Sequence, residues 1–268
     1  MLFSKDELDL EIKKWHNRIV KNCPLCNGIG AVDIPNSNNT RLCECQQKAM
    51  ANAHLVASGI PRKYIDSNWD WEILQNNKES TEKVKKFVSN FEQNYYAGKW
   101  LYIYGRQGRG KSLLESLAAR EIIKKINPDT NKHYKVFFII FEELVQISHD
   151  ARSDNIARKK MNFIIESPDL LIVDNVGSET GTINYNAKFL EFILRKRDNN
   201  CVPTIISSNF TLEQVKSHYS DTIHDFIVQN SELVLVEGEN HRQKGSILDD
   251  FDDDFFDDSD EDSKDGSI

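Results

Sequence analysis

The sequence contains no long apolar run. Nowhere in its 268 residues is there an uncharged stretch of the ~20 residues that a membrane-spanning helix requires. The first residues place Lys5, Asp6 and Glu7 among apolar side chains, so the apolar core of a signal peptide is also missing. We therefore expect a cytoplasmic protein with reduced thiols and no membrane partner.

Cysteine is scarce, and four of the five cysteines fall in two tight pairs. Cys23 and Cys26 are followed, after sixteen residues, by Cys43 and Cys45. This spacing approximates that of four-cysteine zinc sites, although the second pair is one residue shorter. Four thiolates suit tetrahedral Zn²⁺ and leave no open position, so we expect a structural zinc site; two reduced pairs without metal are the alternative. Cys201 stands apart and is expected to be a small buried apolar residue.

Positive charge is almost missing from the C-terminal end. Residues 249–268 contain 11 acids and one base, Lys264, whereas the remaining chain is close to neutral. This composition predicts a disordered acidic tail. Phe251, Phe255 and Phe256 interrupt the aspartates, so the tail either keeps the protein soluble or docks on a basic partner surface. It could also mimic a nucleic-acid backbone on the protein's own basic surface.

The most informative stretch is residues 105–112, which matches the phosphate-binding pattern G-x-x-x-x-G-K-[ST]. An apolar strand precedes it and a helical pattern follows, so backbone N–H groups and a helix N-terminus would surround the phosphates of ATP. Lys111 is expected to reach the β- and γ-phosphates and Ser112 to hold Mg²⁺. The expected nucleotide-binding residues are Gly105, Arg106, Gln107, Gly108, Arg109, Gly110, Lys111 and Ser112.

A second apolar run, residues 169–174, ends in Asp174. In P-loop ATPases an acid at this point lies beside Mg²⁺, so we expect Asp174 to be the second magnesium ligand and a catalytic residue. Further strands are predicted at residues 134–141, 202–207 and 232–236, each separated from the next by helical stretches. This alternation predicts an α/β fold with a central parallel sheet and helices on both faces.

The organisation of the chain follows from these features. Residues 1–60 are expected to form an N-terminal helix and a small zinc-binding module, and residues 61–248 a P-loop ATPase domain. Residues 249–268 are the acidic tail. Helices are predicted over residues 4–21 and 78–97 from apolar residues at helical spacing.

Together these motifs resemble the DnaC/DnaI-type helicase-loader ATPases, a branch of the AAA+ class. The resemblance covers nearly the whole chain before the tail. The shared elements, in chain order, are the two cysteine pairs, Ile60-Pro61-Arg62, residues 105–112, residues 170–177 with Glu179, residues 203–209, and Gly238-x-x-x-Arg242.

The resemblance implies that the N-terminal module binds a hexameric replicative helicase. The ATPase part would use ATP and single-stranded DNA to control helicase loading, and would self-assemble with ATP. Asn209 would contact the γ-phosphate or the attacking water, and Arg242 would lie near the nucleotide. The tail lies outside the family pattern. A tailed variant with eroded catalytic positions would suit a phage, so we expect the protein in the cytoplasm of a bacterial cell or of a phage-infected host.

Asn175 departs from the family pattern, which has a second acid after Asp174. An amide cannot accept a proton from water, so we expect weak hydrolysis unless Glu179 substitutes as the base. Replacing Asn175 with glutamate is expected to raise turnover.

Phe226 is the second departure, because family members often carry an arginine in this region that acts on a neighbour's ATP. No arginine occurs between Arg197 and Arg242. Either one of these two takes its place, or hydrolysis is slow, since loss of such an arginine costs about 10³-fold or more in rate.

Two other functions remain open. An IstB-type transposition-accessory ATPase shares the ATPase core but generally lacks the cysteine module, and a hydrolysis-deficient adaptor would only occupy the helicase. The cluster Arg158, Lys159 and Lys160 is either a solvated helix face or a contact for nucleic-acid phosphates.

Overall fold

The computed structural model describes residues 5–35, 39–238 and 240. The N-terminal elements are α1 Lys5–Trp15 with a π-helical turn His16–Val20, β1 Ala31–Asp33, β2 Thr40–Leu42, α2 Glu44–Ala57, a 3₁₀ turn Arg62–Tyr64, α3 Glu72–Gln75, α4 Lys78–Ser89 and α5 Phe91–Tyr96. The remaining elements are β3 Trp100–Tyr104, α6 Lys111–Ile123, β4 Ile126–Asn127, β5 Lys132–His133, β6 Val136–Ile140, α7 Phe141–Asp150, α8 Asn155–Glu166, β7 Leu170–Val176, α9 Ile183–Asn199, β8 Thr204–Ser208, α10 Leu212–His218, α11 Asp221–Asn230 and β9 Ser231–Leu235.

A five-stranded sheet forms the centre of the fold, in the order β6-β7-β8-β3-β9. Each neighbouring pair is parallel, which confirms the predicted parallel sheet. β8 lies between β3 and β7, so the ends of these three strands meet at one edge. Loops that follow adjacent parallel strands converge at the carboxyl edge of a sheet, where α/β proteins bind ligands.

Helices cover both faces of this sheet, as predicted. Side chains alternate along each strand, so in β3 Leu101 and Ile103 join one buried cluster while Trp100 and Tyr102 join the other. The first cluster includes apolar residues of α6 and α4, and the second includes those of α7, α8, α9 and α11. Burial on both faces explains why the strands read as continuous apolar runs.

The N-terminal segment packs on the first of these clusters. Leu8 and Trp15 of α1 belong to the same buried cluster as Leu101. The Phe138 N–H of the edge strand β6 donates to the Ser58 carbonyl at 2.8 Å. The predicted division near residue 60 stays a prediction, and the apolar core is continuous across it.

Two predictions need correction, and two others fall outside the described residues. The helix predicted over residues 78–97 is two helices, α4 and α5, with Asn90 between them. Cys201 is exposed rather than buried, because it lies in the turn after α9 with a φ of +50°. The tail and Arg242 lie outside the described residues. Among the helices described, none is both long and apolar enough to cross a membrane.

Candidate nucleotide-binding site and cysteine cluster

The loop between β3 and α6 has the backbone of a phosphate cradle. Gly105, Gly108 and Gly110 have φ values of +144°, +77° and +101°, a region that side chains disfavour. A Cβ atom added to Gly105 would lie 2.1 Å from the Val236 carbonyl oxygen. α6 begins at Lys111, so its N-terminus faces this loop.

Lys111 lies inside the loop that it closes. Its Nζ donates to the carbonyl oxygens of Gly105 at 2.7 Å and Arg106 at 3.1 Å, and to Asn209 Oδ1 at 2.8 Å. Its side chain is buried. The ammonium group is therefore held at the cradle by acceptors that phosphate oxygens can replace, and the structure brings Lys111 and Asn209 together.

Asp174 meets the P-loop helix as the sequence predicts. Its Oδ2 accepts from Ser112 Oγ at 2.9 Å, and its Oδ1 accepts from Ser207 Oγ at 2.5 Å. The side chain is buried. Hydroxyl and carboxylate oxygens are ligands that Mg²⁺ accepts, and Mg²⁺ in such sites completes its shell with waters and phosphates. The pair Ser112 and Asp174 therefore suits magnesium held with a nucleotide.

Asn175 interrupts β7 directly after this acid. Its φ is +64°, and the pairing of β7 with β8 shifts register between Val173 and Val176. Its N–H donates to Ser207 Oγ at 3.0 Å, and its Oδ1 accepts from Ser178 Oγ at 3.1 Å. Asparagine tolerates this left-handed conformation better than most residues. The amide is thus part of the polar lining beside Asp174.

Glu179 accepts hydrogen bonds from its own turn and from the residue at the C-terminal end of α10. Its Oε2 accepts from the Gly177 N–H at 2.7 Å, and its Oε1 accepts from the Tyr219 hydroxyl. Burial, and then this carboxylate, raise the pKa of Tyr219, which therefore stays a hydrogen-bond donor. These contacts give Glu179 a positioning role in the turn; its role as catalytic base stays a prediction.

Arg197 cannot replace the missing arginine, because it is fully buried. Its guanidinium donates to the carbonyl oxygens of Ile165, Pro168 and Pro203 and to Thr204 Oγ1. Burial lowers its pKa to about 9. Arg197 therefore joins the C-terminal end of α8 to the segments at the N-terminal ends of β7 and β8. The alternative in which Arg197 acts on a neighbour's nucleotide is wrong.

Arg195 is the arginine that reaches Phe226. Its guanidinium carbon lies 5.3 Å from the centre of the Phe226 ring, and its Nη2 pairs with Glu191 at 2.6 Å. The side chain is 54% exposed. Sequence reasoning missed this contact because Arg195 and Phe226 are on different helices, α9 and α11.

Residues beyond β9 form a cover over the loop. Val236 N–H donates to the Tyr104 carbonyl at 2.7 Å, and Arg109 donates to the Gly238 carbonyl. Asn77 joins the two segments: its Nδ2 donates to the Arg109 carbonyl at 3.5 Å, and its Oδ1 accepts from the Glu237 N–H at 3.1 Å. No sequence motif marks Asn77.

Asn240 completes this cover. A Cβ atom added to Gly108 would lie 1.9 Å from Asn240 Oδ1, so the amide occupies the space that only glycine leaves at the turn. The chain beyond Asn240, which holds Arg242 and the tail, therefore begins at the nucleotide site.

Glu115 is a buried acid that the sequence analysis did not single out. It lies on α6 one turn after Ser112, is fully buried, and neither of its carboxyl oxygens has a hydrogen-bond partner among the described residues. Burial, and then the charge of Asp174, raise the pKa of Glu115 well above its usual range. Two buried carboxyl groups side by side disfavour double ionisation.

We expect Glu115→Gln to stabilise the fold increasingly as pH rises. The pKa of Glu115 is raised on folding, so its stabilisation is complete below the unfolded value of about 4.3 and is lost as pH rises through the folded value. Glutamine does not titrate, and each unit of pKa difference is worth about 1.4 kcal/mol. Thermal unfolding between pH 5 and 8 measures this. Glu92→Gln, at an exposed site on α5, is the control; a difference in Tm that is constant with pH would contradict the expectation.

The four paired cysteines form one cluster. Their Sγ atoms all lie within 4.8 Å of one another. Cys23 and Cys43 are 4.0 Å apart and Cys26 and Cys45 are 3.5 Å apart. Zn–S bonds of about 2.3 Å in a tetrahedron require S–S distances of about 3.8 Å. The donor set and its spacing therefore fit Zn²⁺.

The backbone around this cluster favours the thiolate form of Cys23. The hairpin β1–β2 brings the second cysteine pair back to the first, with Ala31 opposite Leu42. Hydrogen bonds from the backbone of Cys26 and Leu25 lower the pKa of Cys23 to about 7, and the Gly30 N–H donates to Cys26 Sγ at 3.3 Å. Backbone N–H groups that surround a metal-binding sulfur stabilise its charge and orient it.

The strand–loop–helix around Lys111, with the acid of β7 beside it, defines a P-loop ATP-binding protein. Its donor set fits ATP with Mg²⁺, which neutralises phosphate charge in such sites. The profile of the IstB-like ATP binding proteins matches residues 96–248. The chain belongs to this family.

One known protein is similar to part of this chain. Over 136 residues the chain is 27% identical to the replicative helicase loader DnaI of Bacillus subtilis (strain 168), and the match spans 50% of this chain but only 41% of that relative.

Solved structures share the fold. The DnaC helicase loader superposes with a TM-score of 0.54 at 20% identity, over 66% of this chain and 100% of that one. A putative primosome component from Streptococcus pyogenes serotype M3 gives 0.52 at 20% identity, over 70% and 97%. A crystal structure of DnaI gives a TM-score of 0.51 at 21% identity, over 66% of this chain and 94% of that one. These structures therefore share the α/β fold of this chain.

Proposed function

We propose that this chain is an ATP-binding loader of a replicative helicase. It binds the hexameric helicase through residues 1–60 and places the helicase on single-stranded DNA at replication initiation. ATP binding and hydrolysis by residues 61–248 act as the switch, and the zinc-bearing module holds the partner. The match to the replicative helicase loader DnaI is the observation that carries this proposal.

The cysteine cluster supports a loader over a transposition accessory. The family profile starts at residue 96, so the cluster lies outside the part that the family shares. IstB-type transposition-accessory ATPases resemble this chain only in the ATPase core, whereas the DnaC/DnaI-type pattern includes paired cysteines. The family name nevertheless keeps the transposition role as the second candidate.

Native mass spectrometry of the full chain with the helicase of its host tests the proposal. We expect a zinc-loaded complex of defined stoichiometry that changes when ATP and Mg²⁺ are added. If no complex forms under either condition, the loader proposal fails. DNA binding in the presence of a transposase would then test the second candidate.

Slow hydrolysis is part of the proposal, and Asn175→Asp tests it. Aspartate tolerates the φ of +64° and keeps the shape of the side chain, whereas glutamate is more strained there. A carboxylate beside the attacking water can act as general base, a contribution of about 10²–10⁴-fold. We expect turnover to rise at least about tenfold with unchanged affinity for ATP, as measured by phosphate release.

Asn175→Gly is the matched control, because glycine keeps the backbone conformation without any side chain. It should not raise turnover. Equal rates in the wild type and the aspartate variant would show that Asn175 does not limit hydrolysis.

A further inference from the structure

The outward face of α8 carries a row of apolar and basic side chains. Ile156, Lys159, Lys160 and Phe163 lie on one side of the helix, at helical spacing. We call these four residues the α8 stripe. Ile156 is 78% exposed and Phe163 is 47% exposed, while the opposite side of α8 is buried in the core. Two apolar side chains thus flank two lysines on an open surface.

The lysines of the α8 stripe have no salt bridge within the described part of the chain. The acid at the end of the same helix, Glu166, pairs instead with Lys196 at 3.0 Å. Glu143 on α7 lies close enough to interact with the charge of Lys160, so one carboxylate is near the stripe. Phe163 contacts the Phe137 ring edge-on at 6.4 Å, which holds it in place while leaving part of it exposed. A fixed, positively charged and partly apolar surface suits an acidic partner with aromatic residues.

The C-terminal segment has the complementary pattern. In residues 251–256 three aspartates stand between Phe251 and the pair Phe255 and Phe256. Along α8, seven residues separate the apolar ends of the stripe by about 10.5 Å. Four residues of extended chain span about 13 Å. The phenylalanines at the two ends of this segment can therefore lie opposite the two apolar residues of the α8 stripe, with the aspartates opposite its two lysines.

We propose that residues 251–256 dock on the α8 stripe of the same chain. The phenylalanines pack on Ile156 and Phe163, and the aspartates face Lys159 and Lys160. Neither part alone makes a strong contact, because exposed ion pairs contribute little to stability. The shared chain raises their effective concentration to the millimolar range, so a weak contact is populated.

The connection is long enough for this contact. The described chain ends at Asn240, beside the P-loop, and eleven residues lead from there to Phe251. Eleven residues can span up to about 36 Å. β9 and β6 are at opposite edges of the sheet, four strand spacings or about 19 Å apart. The segment can therefore cross the sheet and reach α8.

Docking would also cover a surface that suits single-stranded nucleic acid. Lysines attract phosphates and an exposed aromatic ring stacks on bases, so the two ligands would compete. The flanking apolar residues favour the tail, since its phenylalanines match both ends of the stripe. A nucleic acid on an otherwise free stripe is the competing result that the experiment must detect.

Carbodiimide cross-linking of the full chain tests the proposal, because it joins carboxylates to lysines that touch them. We expect links from the tail to Lys159 and Lys160 at least fivefold above links to Lys13 and Lys14. The latter are a matched pair of adjacent exposed lysines on α1. Mixing ¹⁴N- and ¹⁵N-labelled protein should show that the links form within one chain. Replacing the three phenylalanines with alanine should reduce them at least fivefold.

Three results would overturn the proposal. Links spread evenly over exposed lysines would show a tail without a preferred site. Links only between chains would assign the stripe to a second copy. Single-stranded oligonucleotide that binds through Lys159 and Lys160, while the tail shows no more links to them than to Lys13 and Lys14, would assign the stripe to nucleic acid alone. A loss of links when oligonucleotide is added supports docking, because it requires that both ligands use one surface.

Discussion

Lys111→Ala is expected to weaken ATP binding at least a hundredfold. The ammonium group is held at the phosphate cradle by two loop carbonyls and Asn209, in a position where phosphate oxygens take over these contacts. A hundredfold loss corresponds to about 2.7 kcal/mol, which is the range for one charge-assisted hydrogen bond in a buried site. Titration with a fluorescent ATP analogue measures the change in Kd.

Lys124→Ala is the matched control for this variant. Lys124 follows the same helix, but its side chain is 59% exposed and pairs with Glu121. Its removal should leave the Kd for ATP unchanged. The zinc content and the Tm of both variants establish that the fold is kept. A Lys111→Ala protein with wild-type affinity would contradict the assignment of residues 105–112 as the phosphate site.

The parts of this site that follow one another in sequence were predictable. Residues 105–112 form a continuous motif, and Asp174 ends an apolar run that could only be a buried strand. Both predictions rest on local chemistry: glycines that permit positive φ values, and a helix that starts at the lysine. The contact between Ser112 and Asp174 follows once β3, which precedes the loop, and β7 are in one parallel sheet.

The contacts across the sheet were not predictable, because they depend on strand order. Nothing in the sequence indicates that β8 lies between β3 and β7, and this order places Ser207 against Asp174. Arg197 was a candidate for the missing arginine in the sequence. In the structure it lies near the C-terminal end of α9, where its guanidinium donates to three backbone carbonyl groups. Whether a charged side chain is buried depends on how the helices pack on the sheet, which the sequence does not show.

Glu115 shows a different limit. α6 is buried on nearly all sides, so its apolar pattern does not distinguish an inward position from an outward one. Leu113, Leu114 and Leu117 surround the glutamate in sequence, and a solvated side chain would have been the ordinary interpretation. Only the packing of α6 on β7 and β8 brings this carboxyl group next to Asp174.

Cys43→Ser is expected to remove zinc and unfold the N-terminal segment. Cys43 is the most buried of the four cysteines, at 2% exposure, and it is also the N-cap residue of α2. Structural zinc contributes roughly 10 kcal/mol or more to small modules, and three remaining ligands hold the metal far more weakly. We expect less than about 0.2 zinc per chain by mass spectrometry, where a closed four-cysteine site holds one.

The loss should extend beyond the metal site. α1 and α2 share one buried cluster with the sheet, so release of this segment uncovers Trp15 and part of the face around Leu101. Limited proteolysis should therefore cut first among residues 5–57, and tryptophan fluorescence should shift to the red. ATP binding should persist, since residues 105–112 lie outside the released part.

Cys201→Ser provides the control, because Cys201 is an exposed cysteine in the turn after α9 and lies outside the cluster. This variant should keep zinc, resistance to protease and binding of the helicase. Cys43→Ser should lose all three while still binding ATP. The separation matters for the proposed function, because a loader needs both ends of the chain: the cysteine module to hold its partner and the P-loop to time the release. If Cys43→Ser loses zinc but still binds the helicase with wild-type affinity, the partner surface belongs to the ATPase domain instead.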